Sequence, residues 1–165
     1  MTIDDILQNQ ILPFETDDEK LKKRFSFFLH SAPTIDSSTA ANIPVDRLAE
    51  NWNTYICDFS PNTYAVIAPN CVFKNHLGKY NLDNSNTINR KTKGFVCKRK
   101  TNSETEYESV FRHIRNSIAH SNVYMINAGN RKFILLEDFN KSKNQSARIL
   151  LSQTDLQRLK ATIMR

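Results

Sequence analysis

A chain of 165 residues with 39% hydrophobic and 24% charged side chains is long enough for one domain with a buried core. Three glycines and five prolines exclude a collagen-like or linker-dominated chain, and no apolar run approaches the roughly 18 residues that span a bilayer. The net charge of +6 conceals a split: residues 1–85 carry 7 Lys/Arg against 11 Asp/Glu, and residues 86–165 carry 16 against 6. A strongly basic half concentrates polyanions near it, so nucleic-acid contact is one expectation. The plainer one is a basic surface that meets only solvent or the acidic half.

The start, Met1-Thr2-Ile3-Asp4-Asp5, is acidic where a secretory signal is basic and then apolar, which sets the expectation of a cytoplasmic protein with no membrane partner. Cys57, Cys71 and Cys97 form no CxxC pair, and no histidine stands at zinc-finger distance from a cysteine pair. Free, mostly buried thiols and no metal or other cofactor are expected.

In chain order, residues 17–31 predict a helix, capped by Thr16 or Asp17, with Leu21, Phe25, Phe28 and Leu29 at helical spacing. Ser31-Ala32-Pro33 closes it, and Ser37-Ser38-Thr39 reads as a polar loop. A second helix begins after Pro44 with Val45, Leu48, Trp52, Tyr55 and Ile56 on one face and ends before Pro61. Tyr64–Ala68 fits either a strand or a helical turn, and the asparagines from Asn81 to Asn89 mark a loop. Residues 90–100 then hold six cations, Arg90, Lys91, Lys93, Lys98, Arg99 and Lys100, which suits a loop or hairpin arm reaching for phosphates, or a flexible basic insertion without a single partner.

The helical signal is strongest from Glu104 to Ser121, where Tyr107, Val110, Phe111, Ile114 and Ile118 make one apolar stripe and Glu104, Glu106 and Glu108 favour the positive end of the helix dipole. Val123–Ile126 and Lys132–Leu136 alternate like strands around Asn127-Ala128-Gly129-Asn130, a hairpin signal. After a polar loop at 140–146, Ala147–Leu151 suits a third strand. Ser152-Gln153-Thr154-Asp155 then opens a last helix as a capping box. Trp52 and the Phe25, Phe27, Phe28 cluster suit a core better than a base-stacking platform.

The stretch with chemistry in it is Phe111-Arg112-His113-Ile114-Arg115-Asn116-Ser117-Ile118-Ala119-His120. At about 100° per residue, Asn116 and His120 fall one turn apart on the side opposite the apolar stripe, flanked by Arg115 and continued by Arg112 and His113. An imidazole has an ordinary pKa near 6.5 and exchanges protons at cellular pH, and such catalysis gives about 10²–10⁴ in rate. A guanidinium keeps its charge and clamps phosphate, and an amide orients the ring or donates to a phosphate oxygen. These groups suit RNA cleavage with the ribose 2′-hydroxyl as nucleophile. A solvated surface Arg/His pair is the plainer alternative, and Arg24 with His30 also satisfies the looser arginine–histidine spacing.

Arg115-Asn116-Ser117-Ile118-Ala119-His120 resembles the RNxxxH form of the motif of the HEPN superfamily (higher eukaryote and prokaryote nucleotide-binding domains). The phrase RNSIAHS, followed by a β-type segment and a closing helix, is similar to HEPN proteins of bacterial antiviral and abortive-infection systems. The resemblance implies a mainly α fold, a helical bundle with a small C-terminal antiparallel hairpin or sheet elaboration. The resemblance itself covers residues 104–165, and the whole chain, 1–165, is expected to form a single domain with an insertion or flexible basic arm at about 62–103. It also implies a homodimer in which two motifs form one metal-independent endoribonuclease site, in a toxin-like effector of prokaryotic defence or a toxin–antitoxin pair. Arg115, Asn116 and His120 are then the catalytic candidates, by resemblance. Arg112 and His113 join Arg90, Lys91, Lys93, Lys98, Arg99 and Lys100 as candidate RNA contacts, with the basic stretches 90–100 and 131–148 holding the backbone. His113 is an alternative second proton-transfer group within one subunit. Expected partners are RNA, a second copy, and an antitoxin or defence-system protein. The alternative function is a non-catalytic HEPN-fold regulator that binds RNA or a partner effector, or a plain interaction protein whose Arg/His face makes a dimer.

Overall fold

The computed structural model describes residues 1–33 and 43–165; the loop expected at Ser37-Ser38-Thr39 lies outside the described residues. The helices are α1 (Ile3–Leu7), α2 (Glu19–His30), α3 (Val45–Ile56), α4 (Lys74–Leu77), α5 (Glu106–Ala119) and α6 (Gln153–Ile163). The Asp18 carboxylate accepts the Leu21 N–H at the start of α2, one residue beyond the expected caps. Reciprocal capping boxes open α5 (Thr105 with Glu108) and α6 (Ser152 with Asp155). Each such cap is worth about 1 kcal/mol, so both helix starts are fixed locally. Val45, expected on the inner face of α3, is 69% exposed, while Leu48, Trp52 and Tyr55 of the same stripe are buried.

The strands are β1 (Gln10–Ile11), β2 (Tyr64–Ile67), β3 (Gly94–Lys98), β4 (Val123–Ala128), β5 (Arg131–Phe139) and β6 (Gln145–Ser152). They form one six-stranded sheet in the order β1-β4-β5-β6-β3-β2, antiparallel except for the parallel β2–β3 edge pair. The β4–β5 hairpin closes through Gly129 at φ +62, a left-handed position that glycine takes without strain.

Alternation along the strands sorts two cores. Phe95, Cys97, Ile134, Leu136, Ala147, Ile149 and Leu151 face a layer of α2, α3, α5 and α6, where Phe111 stacks on Phe28 (6.0 Å between centroids) and meets Trp52 edge-on (6.1 Å). Val96, Phe133, Leu135 and Leu150 face the other way, onto Ile3 and Ile6 of α1 and Phe73, Leu77, Leu82 and Ile88 from the chain between β2 and β3. On that second face the buried Glu137 and Arg148 pair across β5 and β6, and Arg148 donates to Leu82 O (2.9 Å) and Asn84 Oδ1 (2.7 Å), which fastens the loop to the sheet. Gln145 also donates to Glu137.

The expectation of a mainly helical bundle with a small hairpin is therefore corrected: the chain folds as a mixed α/β layer structure with a six-stranded sheet covered on both faces. The physical reason lies in residues 62–103. Strands buried on both faces lose the apolar–polar alternation that identifies a strand, and the run Phe95-Val96-Cys97 between cations reads as an interrupted basic loop. In the fold it is an interior strand between β6 and β2, so residues 90–100 do not form one continuous arm. Among the described residues no helix is long and apolar enough to cross a membrane.

Candidate active site

Helix α5 crosses one end of the sheet, and its polar residues are satisfied by that end. Ser109 Oγ and Arg112 Nη2 donate to the Lys98 carbonyl at the end of β3 (3.4 and 3.1 Å), and His113 Nε2 lies 2.7 Å from the same oxygen. His113 Nδ1 lies 2.7 Å from Asp138 Oδ2 on β5, and Asn116 Nδ2 donates to the same oxygen at 3.1 Å. Ser117 Oγ is 2.7 Å from both the His113 and Glu137 carbonyls. Arg112 pairs with Glu104 through Nε–Oε2 (2.7 Å) and Nη2–Oε1 (3.0 Å), a two-pronged contact.

These contacts divide the candidate residues sharply. Arg112 is 8% exposed and His113 1% exposed, so both belong to the interior rather than to the open polar face expected from the helical angle. With both ring nitrogens at hydrogen-bond distance from protein oxygens and the ring 1% exposed, His113 has no opening toward a nucleotide in its own subunit. Arg115 is half-buried and His120 exposed, and among the described residues no hydrogen bond or ion pair engages either side chain. Asn116 lies between them in character: its amide nitrogen is anchored on Asp138 and its carbonyl oxygen is not.

His120 also marks where the helix stops. It is the C-cap, its N–H donating to Asn116 O at 3.0 Å, and Ser121 follows at φ +57. Asn122 N–H then reaches Ser117 O (2.8 Å) and Ser121 N–H reaches Ile118 O (3.2 Å), the double closure of a Schellman turn with serine in the place glycine favours. The turn is locked further by Gln10 Nε2 donating to Ser121 O at 2.7 Å from β1. The imidazole thus projects from a fixed helix end.

The remaining candidates split between the two ends of β3. Lys98, Arg99 and Lys100 lie at the α5 end, where Arg99 donates to Glu104 O (2.9 Å) and Val66 O (3.0 Å) and the Lys100 N–H donates to Glu104 Oε1 (3.0 Å). Arg90, Lys91 and Lys93 lie at the opposite end, with Arg131 and the start of α6. Along β5 the two ends are about 20 Å or more apart at 3.4 Å per residue.

Two residues that hold the site were read differently, or not at all, in the sequence. Glu104 looked like a helix-dipole acid, but it is the buried counter-ion of Arg112. Burial pushes its carboxyl upward, and the hydrogen bonds and charge of Arg112 with the Lys100 N–H outweigh that and bring it below the ordinary 4.5. Asp138 carried a signal of its own: the fully buried run Phe133–Leu136 continues into Glu137-Asp138, and a strand covered on both faces forces such carboxylates to find buried partners.

Four helices thus lie on one sheet face, and one of them carries an RNxxxH end open to solvent. The family model HEPN pEK499 p136 matches residues 51–164, most of the chain, and the chain belongs to that family and to the HEPN superfamily. The matched stretch begins inside α3, so α2, which packs on α5, and β1, which extends the sheet beside β4, complete the matched region from outside it. No curated protein and no solved structure matches the chain.

Proposed function

We propose that the protein is a metal-independent endoribonuclease, a toxin-like effector of prokaryotic defence, and that His120 is its proton-transfer group. The observation that carries this reading is the contrast within a single helix: Arg112 and His113 are fully engaged, while Arg115 and His120 of the family motif stand unengaged on the outer side of the same helix end. In the reaction a base takes the proton from a ribose 2′-hydroxyl, O2′ attacks phosphorus, and the bond to O5′ breaks as an acid protonates the leaving oxygen. The products are a 2′,3′-cyclic phosphate and a 5′-hydroxyl end. Arg115 offsets the charge that builds on the non-bridging oxygens. Asn116, whose amide nitrogen is anchored on Asp138 one helical turn before His120, acts as a positioning residue.

One such imidazole performs one of the two proton transfers at a time. With His113 withdrawn into the interior, the second group comes from His120 of a second copy, so the active species in this reading is a homodimer. Lys98 and Lys100, at the same end of the sheet, supply the positive surface along which the RNA backbone approaches. A cytoplasmic antitoxin or defence-system partner would restrain this surface by covering it.

The test is cleavage of single-stranded RNA in EDTA by the purified chain. His120→Ala is expected to lower the rate by about 10²–10⁴ at unchanged melting temperature, with cyclic-phosphate ends from the unsubstituted protein. RNA that is bound and left intact would assign the chain instead to a non-catalytic regulator, and an intact dimer that neither binds nor cuts RNA would sink both readings.

A further inference from the structure

Two consecutive residues of β5 hold the last two turns of α5. The Glu137 carbonyl accepts from Ser117 Oγ at 2.7 Å, and the Glu137 N–H donates to the Asn122 carbonyl at 3.0 Å just beyond the helix. Asp138 Oδ2 lies 2.7 Å from His113 Nδ1 and accepts from Asn116 Nδ2 at 3.1 Å. These contacts bracket residues 113–122, and Arg115 and His120 lie inside the bracket. Where α5 ends relative to the sheet, and so where the imidazole stands, is set from β5.

Asp138 holds with its side chain. It is 3% exposed and both oxygens are engaged, Oδ1 by the Phe139 N–H at 2.9 Å and Oδ2 by His113 and Asn116. A carboxylate is an expensive way to pack a helix on a sheet, and Ile134 and Leu136 of the same face of β5 already do that packing. The β5–β6 register shifts between Asp138 and Phe139, which pair with Ala147 and Gln145. Irregularities of this kind re-aim side chains and cluster beside active sites. Of the three catalytic candidates, Asn116 is the one whose side chain is tied to the rest of the described protein, and the tie is Asp138. The Asn116 carbonyl in turn accepts the His120 N–H at 3.0 Å, so the hold passes to His120 through one helical turn.

We propose that Asp138 is a positioning residue of the RNxxxH site: its carboxylate, through Asn116, fixes the last turn of α5 and with it the placement of the His120 imidazole. This rests on the reading of that helix end as the ribonuclease site. Asp138 acts through Asn116 and takes no part in proton transfer.

Asp138→Asn is nearly isosteric and removes the charge that strengthens both hydrogen bonds. RNA cleavage by the full chain is expected to fall at least about tenfold in kcat with KM within about twofold. Asn116→Ala is expected to do the same, and the double variant to be no slower than the slower single one, because the two residues act as a unit. Additive losses, or a change in KM alone, overturn the proposal. A measurement without RNA keeps it apart from the ribonuclease reading: the His120 ring C–H signals in NMR spectra are expected to move in both single variants, while those of His30 on α2 and His76 on α4 stay. His120 signals that stay in place in a folded Asp138→Asn overturn the positioning even where the parent cuts RNA. A parent that cuts no RNA sinks the ribonuclease reading, and the NMR comparison still decides the positioning. Should Asp138→Asn fail to fold, the parent decides: one Asn116 Nδ2 proton is expected to exchange with water at least about tenfold more slowly than those of the exposed Asn144, and equal exchange overturns the proposal.

Discussion

The two ends of the sheet are both rich in charge and are built on opposite rules. At the α5 end, Glu104 meets Arg112 and Asp138 meets His113 inside the protein, each group with its partner at hydrogen-bond distance. At the other end, Arg90, Lys91 and Arg131 outnumber their carboxylates and face an open cleft. Burial forces neutralisation, because an unpartnered ion in the interior costs several kcal/mol, whereas water tolerates an excess of one sign. The lesson is that the open groups are those the interior did not claim: Arg115 and His120 at one end, the basic trio at the other.

The largest effect belongs to breaking the neutralised end. Glu104→Gln leaves the Arg112 guanidinium buried without its counter-ion and is expected to cost about 3–5 kcal/mol in a urea titration. Because the folded protein holds this carboxyl below its ordinary 4.5, its stabilisation is present above that pH and is lost as pH falls through the folded value. The variant should therefore show a flatter loss of stability below about pH 4.5 than the parent, and an unchanged slope there would separate Glu104 from the acid response.

An intermediate effect is expected where the open end meets the strand that divides the two. A Cβ on Gly94 would overlap the Thr63 carbonyl oxygen that accepts the Phe95 N–H, so Gly94→Ala should cost about 1–3 kcal/mol by forcing β2 from β3. A smaller and opposite effect is expected beside His120. Ser121→Gly relieves a left-handed serine and should stabilise by about 0.5–1 kcal/mol, read as a rise in melting temperature. A fall instead would mean that the serine side chain anchors the turn.

Much of the local structure was legible. The capping box at Ser152–Asp155, the turn at Gly129-Asn130 and the apolar stripe of α5 all act over a few residues, and each forms where the sequence places it. The RNxxxH motif likewise falls at the end of α5 as read. β3 was illegible because its two buried faces erase the period, and α1, β1 and α4 are too short to leave one. The exposure of each polar residue on α5 was illegible for a related reason. A helical wheel gives angles about one axis, and it places Arg112 and His113 away from the apolar stripe without showing that the end of a sheet waits there.

The sequence alone therefore determined where helices start and stop, where the hairpin turns, and which six residues carry the family motif, since these depend on neighbours within a turn or two. Tertiary structure decided which cations are neutralised and which remain open, because that depends on Glu104, Asp138 and Asp155 arriving from other elements. It also turned an expected helical bundle into a layered α/β fold, because strands covered on both sides are recognisable only once their covers are in place.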